Sequence, residues 1–107
     1  MSTAETWIAV AKSDEIEDGS GREFLVGKRI VAIFRNGGQL FALDGICAHQ
    51  GGPLAEGFVN DGCVTCPWHG WQYALEDGKH TVSGRELAET FSVRERDGSV
   101  EVLEKPE

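Results

Sequence analysis

Two short segments, each with one cysteine and one histidine, constrain this chain more than any other feature. The first is Cys47-Ala48-His49 and the second is Cys66-Pro67-Trp68-His69, separated by residues 50–65. They hold two of the three cysteines and two of the three histidines in the chain. A metal site with four side-chain donors needs such convergence of rigid neighbouring loops. The sequence therefore predicts a fold that brings two loops together, with Cys47, His49, Cys66 and His69 as metal ligands.

The matched halves of this pattern favour one kind of centre. One thiolate and one imidazole per segment suit a [2Fe–2S] cluster with unequal irons, in which the cysteines hold one iron and the histidines the other. A structural zinc ion would take the same four donors in a tetrahedron. Zinc sites usually carry C-x2–4-C and H-x3–5-H pairs, however, and the C-x-H spacing here is not of that kind. We keep zinc as the alternative and expect one [2Fe–2S] cluster.

The rest of the chain is typical of an all-β domain. Its 14 glycines fall between short β-like runs, and Asn36-Gly37-Gly38, Asn60-Asp61-Gly62 and Asp97-Gly98 each predict a hairpin turn. No segment has convincing helical periodicity, and Pro53 to Glu56 could form one helical turn at most. The predicted strands cover residues 7–11, 22–26, 29–34, 39–43, 58–59, 63–65, 71–74, 91–94 and 100–103.

Composition and charge limit the classes of partner. The 107 residues fit a single domain, 1–107, and three cysteines argue against a disulfide framework. A formal charge of −8 disfavours nucleic-acid binding. The charge suits either a solvated surface or an acidic face that steers towards a basic partner. No basic, apolar leader and no long apolar run occurs, so we expect a cytoplasmic protein without membrane contact.

The two metal segments resemble the cluster-binding motif of the Rieske [2Fe–2S] family. The resemblance rests on Cys47-Ala48-His49-Gln50-Gly51-Gly52-Pro53-Leu54 and on Cys66-Pro67-Trp68-His69-Gly70-Trp71-Gln72-Tyr73. It implies stacked antiparallel sheets with a two-loop cluster-binding subdomain, whose loops cover about 44–57 and 66–73.

The resemblance also implies a function. It is strongest to the soluble ferredoxin components of ring-hydroxylating dioxygenase systems. Such a protein is not an enzyme: it carries single electrons from a NAD(P)H-dependent flavin reductase to a terminal oxygenase, with His49 and His69 as the expected exit points. A small Rieske subunit of a nitrite reductase-like complex remains an alternative. The N-terminal part of an oxygenase is disfavoured because His80 is the only histidine left for a second iron site.

The chain departs from the high-potential branch of the family. That branch has a disulfide between the loops, whose cysteines would fall at Gly52 and Trp68, and a serine donor that would fall at Trp71. Its tyrosine donor would fall at Tyr73, which is present. Fewer donors to the cluster and a negative protein both lower the potential. We therefore expect a low-potential centre.

The remaining residues of interest lie near these segments. We expect Cys63 to be a small apolar strand residue and not a ligand, and His80 to be exposed without a role. Trp68 and Trp71 are expected to shield the cluster as well as pack between loops. Glycine permits close approach of the backbone to the cluster, and it also permits turns. Both explanations stay open for Gly51, Gly52 and Gly70.

Overall fold

The computed structural model describes residues 6–46, 52–68 and 70–104. In these ranges the chain forms ten strands and two short 3-10 turns. The strands are β1 (Trp7–Lys12), β2 (Ser20–Val26), β3 (Arg29–Asn36), β4 (Gln39–Asp44), β5 (Phe58–Asn60), β6 (Cys63–Thr65), β7 (Gln72–Ala74), β8 (Thr90–Phe91), β9 (Val93–Arg96) and β10 (Ser99–Leu103). The 3-10 turns are Ser13–Glu15 and Leu54–Glu56, and the second lies in the segment predicted for one helical turn.

The strands form three antiparallel sheets, which confirms the predicted all-β class. Their strand orders are β1-β10-β9, β2-β3-β4-β8 and β5-β6-β7. Within the described ranges, no helix has both the length and the apolar character needed to cross a membrane.

The three predicted hairpin turns are present. Gly37 and Gly38 have φ of 64° and 81°, and they join β3 to β4. Asp61 and Gly62 join β5 to β6 in the same way, with φ of 51° and 76°. Positive φ at both central residues matches the twist of antiparallel strands, so Asn, Asp and Gly at these positions set the register.

One predicted strand is divided between two sheets. We expected a single strand over 91–94, but β8 pairs with β4 and β9 pairs with β10. The chain changes sheet at the exposed Ser92, whose carbonyl accepts a hydrogen bond from the Leu103 amide at 3.0 Å. Phe91 is buried on one side of this crossing. The alternation of apolar side chains continues through the crossing, and it therefore did not reveal the change of sheet.

The middle sheet is buried on both faces, which explains the apolar run in β3. Val31 and Ile33 pack in a core with Val100 and Val102 of β10. Ala32 and Phe34, on the opposite face, pack in a second core with residues of the β5-β6-β7 sheet and the loops beside it. The second core contains Leu54, Val64, Cys66, Tyr73 and Leu75. The small sheet that carries the second metal segment is thus fixed against the middle sheet.

Candidate metal centre

The two predicted cluster loops lie at the ends of strands in the described structure. The first follows β4 and the second joins β6 to β7. The ends of the first loop are tied together, because Ile46 and Pro53 form an antiparallel bridge and the Leu54 amide donates to the Gly45 carbonyl at 3.0 Å. Three of the four predicted ligands lie outside the described residues: Cys47, His49 and His69. Accordingly, the described part of the chain contains no group of three or more potential metal-binding side chains.

Cys66 is the predicted ligand whose surroundings are described. It follows β6 directly and is 1% exposed. Its amide donates to the Trp71 carbonyl at 2.7 Å, which closes the second loop. Its Sγ accepts the amide of Trp68 at 3.4 Å. A backbone N–H directed at sulfur stabilises thiolate charge, so this environment suits a metal-binding cysteine.

Gly52 brings the first loop against the second. A Cβ atom at this position would lie 2.9 Å from Trp68 Cγ and 3.1 Å from Cys66 Sγ. Those distances leave no room for a side chain, so the backbone of the first loop passes close to the Cys66 sulfur. Gly70 differs, since its φ of 73° requires glycine while a Cβ atom there would meet no described atom within 4 Å. Close approach therefore explains Gly52 and turn formation explains Gly70, while Gly51 lies outside the described residues.

These observations fit a [2Fe–2S] cluster. The described sulfur is buried, receives a backbone donor and lies where the two loops meet. The segments that meet there are the two that each contain one cysteine and one histidine. Sulfur and nitrogen donors of this kind suit iron in a Rieske centre.

Aromatic side chains line the inner side of the second loop. Tyr73 is fully buried in the same core as Cys66, and Trp71 is half-buried and packs against that core. Trp68 is 49% exposed. Trp71 and Tyr73 thus exclude water from the inner side of the loop, whereas Trp68 does so only in part.

The prediction for His80 was wrong. We expected an exposed side chain, but His80 is 8% exposed and its Nδ1 lies 2.9 Å from Ser83 Oγ. Its ring stacks on Trp71 with centroids 4.3 Å apart and an interplanar angle of 19°. The cause is a bridge between Tyr73 and His80 that extends the small sheet by one more segment. The exposed neighbours Lys79 and Thr81 are both polar, so no hydrophobic alternation signalled this position.

Cys63 lies in β6 as predicted and is half-buried. Because Val64 points into the core, the adjacent Cys63 points to the opposite face of the sheet. Cys63 therefore does not belong to the core that contains Cys66.

Comparison with known proteins identifies the family. Residues 6–104 match the model of the family described as "Rieske [2Fe-2S] domain". This chain belongs to the Rieske [2Fe–2S] family. The centre is therefore of the [2Fe–2S] type, and the structural zinc alternative is set aside.

Relatives that match nearly the whole chain show which kind of Rieske protein it resembles. The anthranilate 1,2-dioxygenase ferredoxin subunit of Burkholderia cepacia is 33% identical, and the match covers 94% of each chain. The ferredoxin in a solved complex of reduced oxygenase and oxidised ferredoxin in carbazole 1,9a-dioxygenase is also similar. It has 27% identity and a TM-score of 0.81, with 94% of this chain and 97% of that chain covered. The chain is accordingly an electron-transfer protein and not a catalytic subunit.

The same fold occurs in a protein to which a different role is assigned. A Mycobacterium tuberculosis protein assigned as an NADH-dependent nitrite reductase small subunit has a TM-score of 0.89 at 22% identity. The comparison covers 97% of this chain and 99% of that one. At this identity the likeness concerns the fold alone.

Proposed function

We propose that this chain is a Rieske-type ferredoxin with one [2Fe–2S] cluster held by Cys47, His49, Cys66 and His69. It forms a single domain over 1–107, with cluster-binding loops at about 44–57 and 66–73. The observation that carries this proposal is the contact of the two loops at Gly52 and Cys66, in a chain whose only C-x-H and C-x-x-H segments lie on those loops.

Each ligand has a distinct task in this proposal. Cys47 and Cys66 hold one iron as thiolates, while His49 and His69 hold the other as imidazoles. The bound cluster supplies one-electron chemistry. Cys66 is held in place by its own amide and by the Trp68 amide. The imidazoles are the proposed exit points for electrons, because they hold the iron that neither thiolate binds.

The proposed partners are a donor and an acceptor of single electrons. The donor is a NAD(P)H-dependent flavin reductase, as the resemblance to dioxygenase ferredoxins implies. The acceptor is a terminal oxygenase, a choice supported by the dioxygenase ferredoxin relative and by the solved oxygenase–ferredoxin complex. A charge of −8 favours partners with basic docking faces.

The cluster is proposed to work at low potential. Tyr73 supplies one hydroxyl near the second loop, but Trp71 stands where the high-potential branch has a serine. Hydroxyl donors to cluster sulfur stabilise the added electron, so a centre with fewer of them is harder to reduce. Such a centre suits transfer from a reduced flavin to an oxygenase.

The function is tested by counting metal and electrons in the purified protein. We expect two irons and two sulfides per chain, and complete bleaching by one electron in an anaerobic dithionite titration. The reduced protein should then reoxidise on mixing with the oxygenase component of the anthranilate dioxygenase system. Zinc in place of iron would overturn the proposed cofactor. Co-purification with a large nitrite-reducing subunit, without reoxidation by the oxygenase, would overturn the proposed partners.

A further inference from the structure

His80 is the buried polar side chain among the described residues, and the electron-transfer role proposed above gives it no task. It lies ten or more residues from the nearest predicted ligand in sequence, yet its ring packs beside the second cluster loop. We propose that His80 is a positioning residue that holds Trp71 in place and so sets the redox properties of the cluster. This inference rests on the proposed ligation of the cluster.

A short series of contacts links His80 to a ligand. The His80 ring stacks on the Trp71 indole at a centroid separation of 4.3 Å. The Trp71 carbonyl in turn accepts the Cys66 amide at 2.7 Å. Any movement of Trp71 therefore changes the conformation of the loop at the point where the ligand is attached.

The orientation of the His80 ring is itself fixed. Nδ1 lies 2.9 Å from Ser83 Oγ, and the backbone around them forms a closed turn. In that turn the His80 amide donates to the Arg85 carbonyl at 2.8 Å, and the Gly84 amide donates to the His80 carbonyl at 2.7 Å. Ser83 thus acts on Trp71 through His80, and the hydrogen-bonded pair of His80 and Ser83 supports the second loop.

The stack limits how much of the Trp71 indole faces solvent, in a region where Trp71 and His80 line the same surface cavity. The imidazole covers one face of Trp71 and lies 6.0 Å from the ring centroid of Tyr73. Water beside a cluster stabilises the reduced form, because reduction adds negative charge. Loss of the stack should consequently raise the midpoint potential, whereas Tyr73 stays fixed by the core in which it is buried.

The experiment compares four variants as cluster-loaded full-length proteins. His80→Ala removes the stack and His80→Phe keeps a stacking ring. Ser83→Ala leaves the ring in place and removes the hydrogen bonds of Ser83 Oγ to His80 Nδ1 and to the Arg85 amide. Val82→Ala is the control, because Val82 lies in the same turn and is 87% exposed. Midpoint potential by protein-film voltammetry, electron paramagnetic resonance (EPR) of the reduced cluster and thermal unfolding are measured for each variant.

We expect His80→Ala to shift the potential upwards with a changed EPR spectrum, and Ser83→Ala to produce a smaller shift of the same sign. His80→Phe should restore most of the wild-type potential, and Val82→Ala should not alter it. A wild-type potential in Ser83→Ala and in a cluster-loaded His80→Ala, with only a lower unfolding temperature, would overturn the inference. If His80→Ala fails to load a cluster, the midpoint potential of Ser83→Ala alone decides whether the inference holds. Absence of a Rieske EPR signal in the wild type would instead overturn the proposed function.

Discussion

Gly52 lies against the indole of Trp68, so closely that a Cβ atom at position 52 would be 2.9 Å from Trp68 Cγ. These are the positions at which the high-potential branch of the family is expected to carry its interloop disulfide. In this chain the two loops are instead joined by contact between a glycine and a tryptophan ring. The link between the loops therefore depends on packing and on the absence of a side chain at Gly52.

Substitution of Gly52 should damage the centre more than the fold. In Gly52→Ala the added methyl would press on Trp68 and on Cys66 Sγ, 3.1 Å away. Overpacking of this kind costs about 1–3 kcal/mol. We expect reduced iron content and weaker visible absorbance, measured on protein purified under identical conditions.

Gly19→Ala provides the matched control for that substitution. A Cβ at Gly19 meets no atom within 4 Å, but its φ of 81° disfavours alanine by roughly 1 kcal/mol. This variant should unfold at a lower temperature with full iron content. Equal iron loss in both variants would show that the Gly52 effect is one of general stability.

The ligand assignment predicts a sharp division among the cysteine and histidine variants. Cys47→Ser, His49→Ala, Cys66→Ser and His69→Ala should each abolish or convert the cluster. Cys63→Ser should retain it, because Cys63 points to the face of β6 opposite Val64. Iron content and visible spectra decide, and cluster loss in Cys63→Ser would mean that the donor set is wrong.

The donors near the second loop predict the potential of the centre. Rieske centres span about −150 to +300 mV, and we expect the wild type in the lower half, below about 0 mV. Tyr73→Phe should lower the midpoint potential by removing a hydroxyl, and Trp71→Ser should raise it by adding one and admitting water. Protein-film voltammetry measures both, and a wild-type value above about +150 mV would contradict the low-potential assignment.

Arg35 and Glu95 predict a pH dependence of stability far from the metal loops. Arg35 Nη2 donates to Glu95 Oε2 at 2.9 Å and to the Ser13 carbonyl at 3.0 Å, which connects the middle sheet to β9 and the first 3-10 turn. The hydrogen bond from Arg35 holds the pKa of Glu95 below its ordinary value. The pair should therefore stabilise the fold above the unfolded pKa of about 4.3, and its contribution is lost as pH falls through the lower folded pKa.

The measurement compares wild type with Glu95→Gln in denaturant unfolding at several pH values. Glu95 is partly exposed, so the expected loss near pH 7 is only about 0.2–1 kcal/mol. The difference between the two proteins should shrink on acidification. A difference that stays constant down to about pH 3 would show that the charge of Glu95 is not the cause.

The hairpins were predictable because their turns have a local cause. Asn, Asp and Gly permit the positive φ that a two-residue turn needs, and Gly37-Gly38 and Asp61-Gly62 adopt it. Phe91 shows the limit of local reasoning, since a single strand was predicted over 91–94 but the change of sheet at Ser92 was not. That change depends on which distant strand is available for pairing, and β4 and β10 are far apart in sequence.

The residue types of the candidate site were predictable from the sequence, but the contacts that hold the site in place were less so. Residue types at fixed spacings predicted the two metal segments that contain Cys47 and Cys66, and close approach was one of two explanations given for Gly52. The burial of His80 did not, because its environment is created by stacking on Trp71 and by a bridge to Tyr73. A histidine between two polar residues has the same sequence pattern whether it is exposed or enclosed.

Pulsed EPR of the dithionite-reduced protein tests the central claim most directly, since it detects nitrogen nuclei bound to the cluster iron. Ligation by His49 and His69 predicts strong coupling to two imidazole nitrogens in the wild type. Cys63→Ser should give the same spectrum. A reduced cluster without nitrogen coupling would mean that four thiolates or other donors hold the iron, and a protein without any reducible centre would contradict the account altogether.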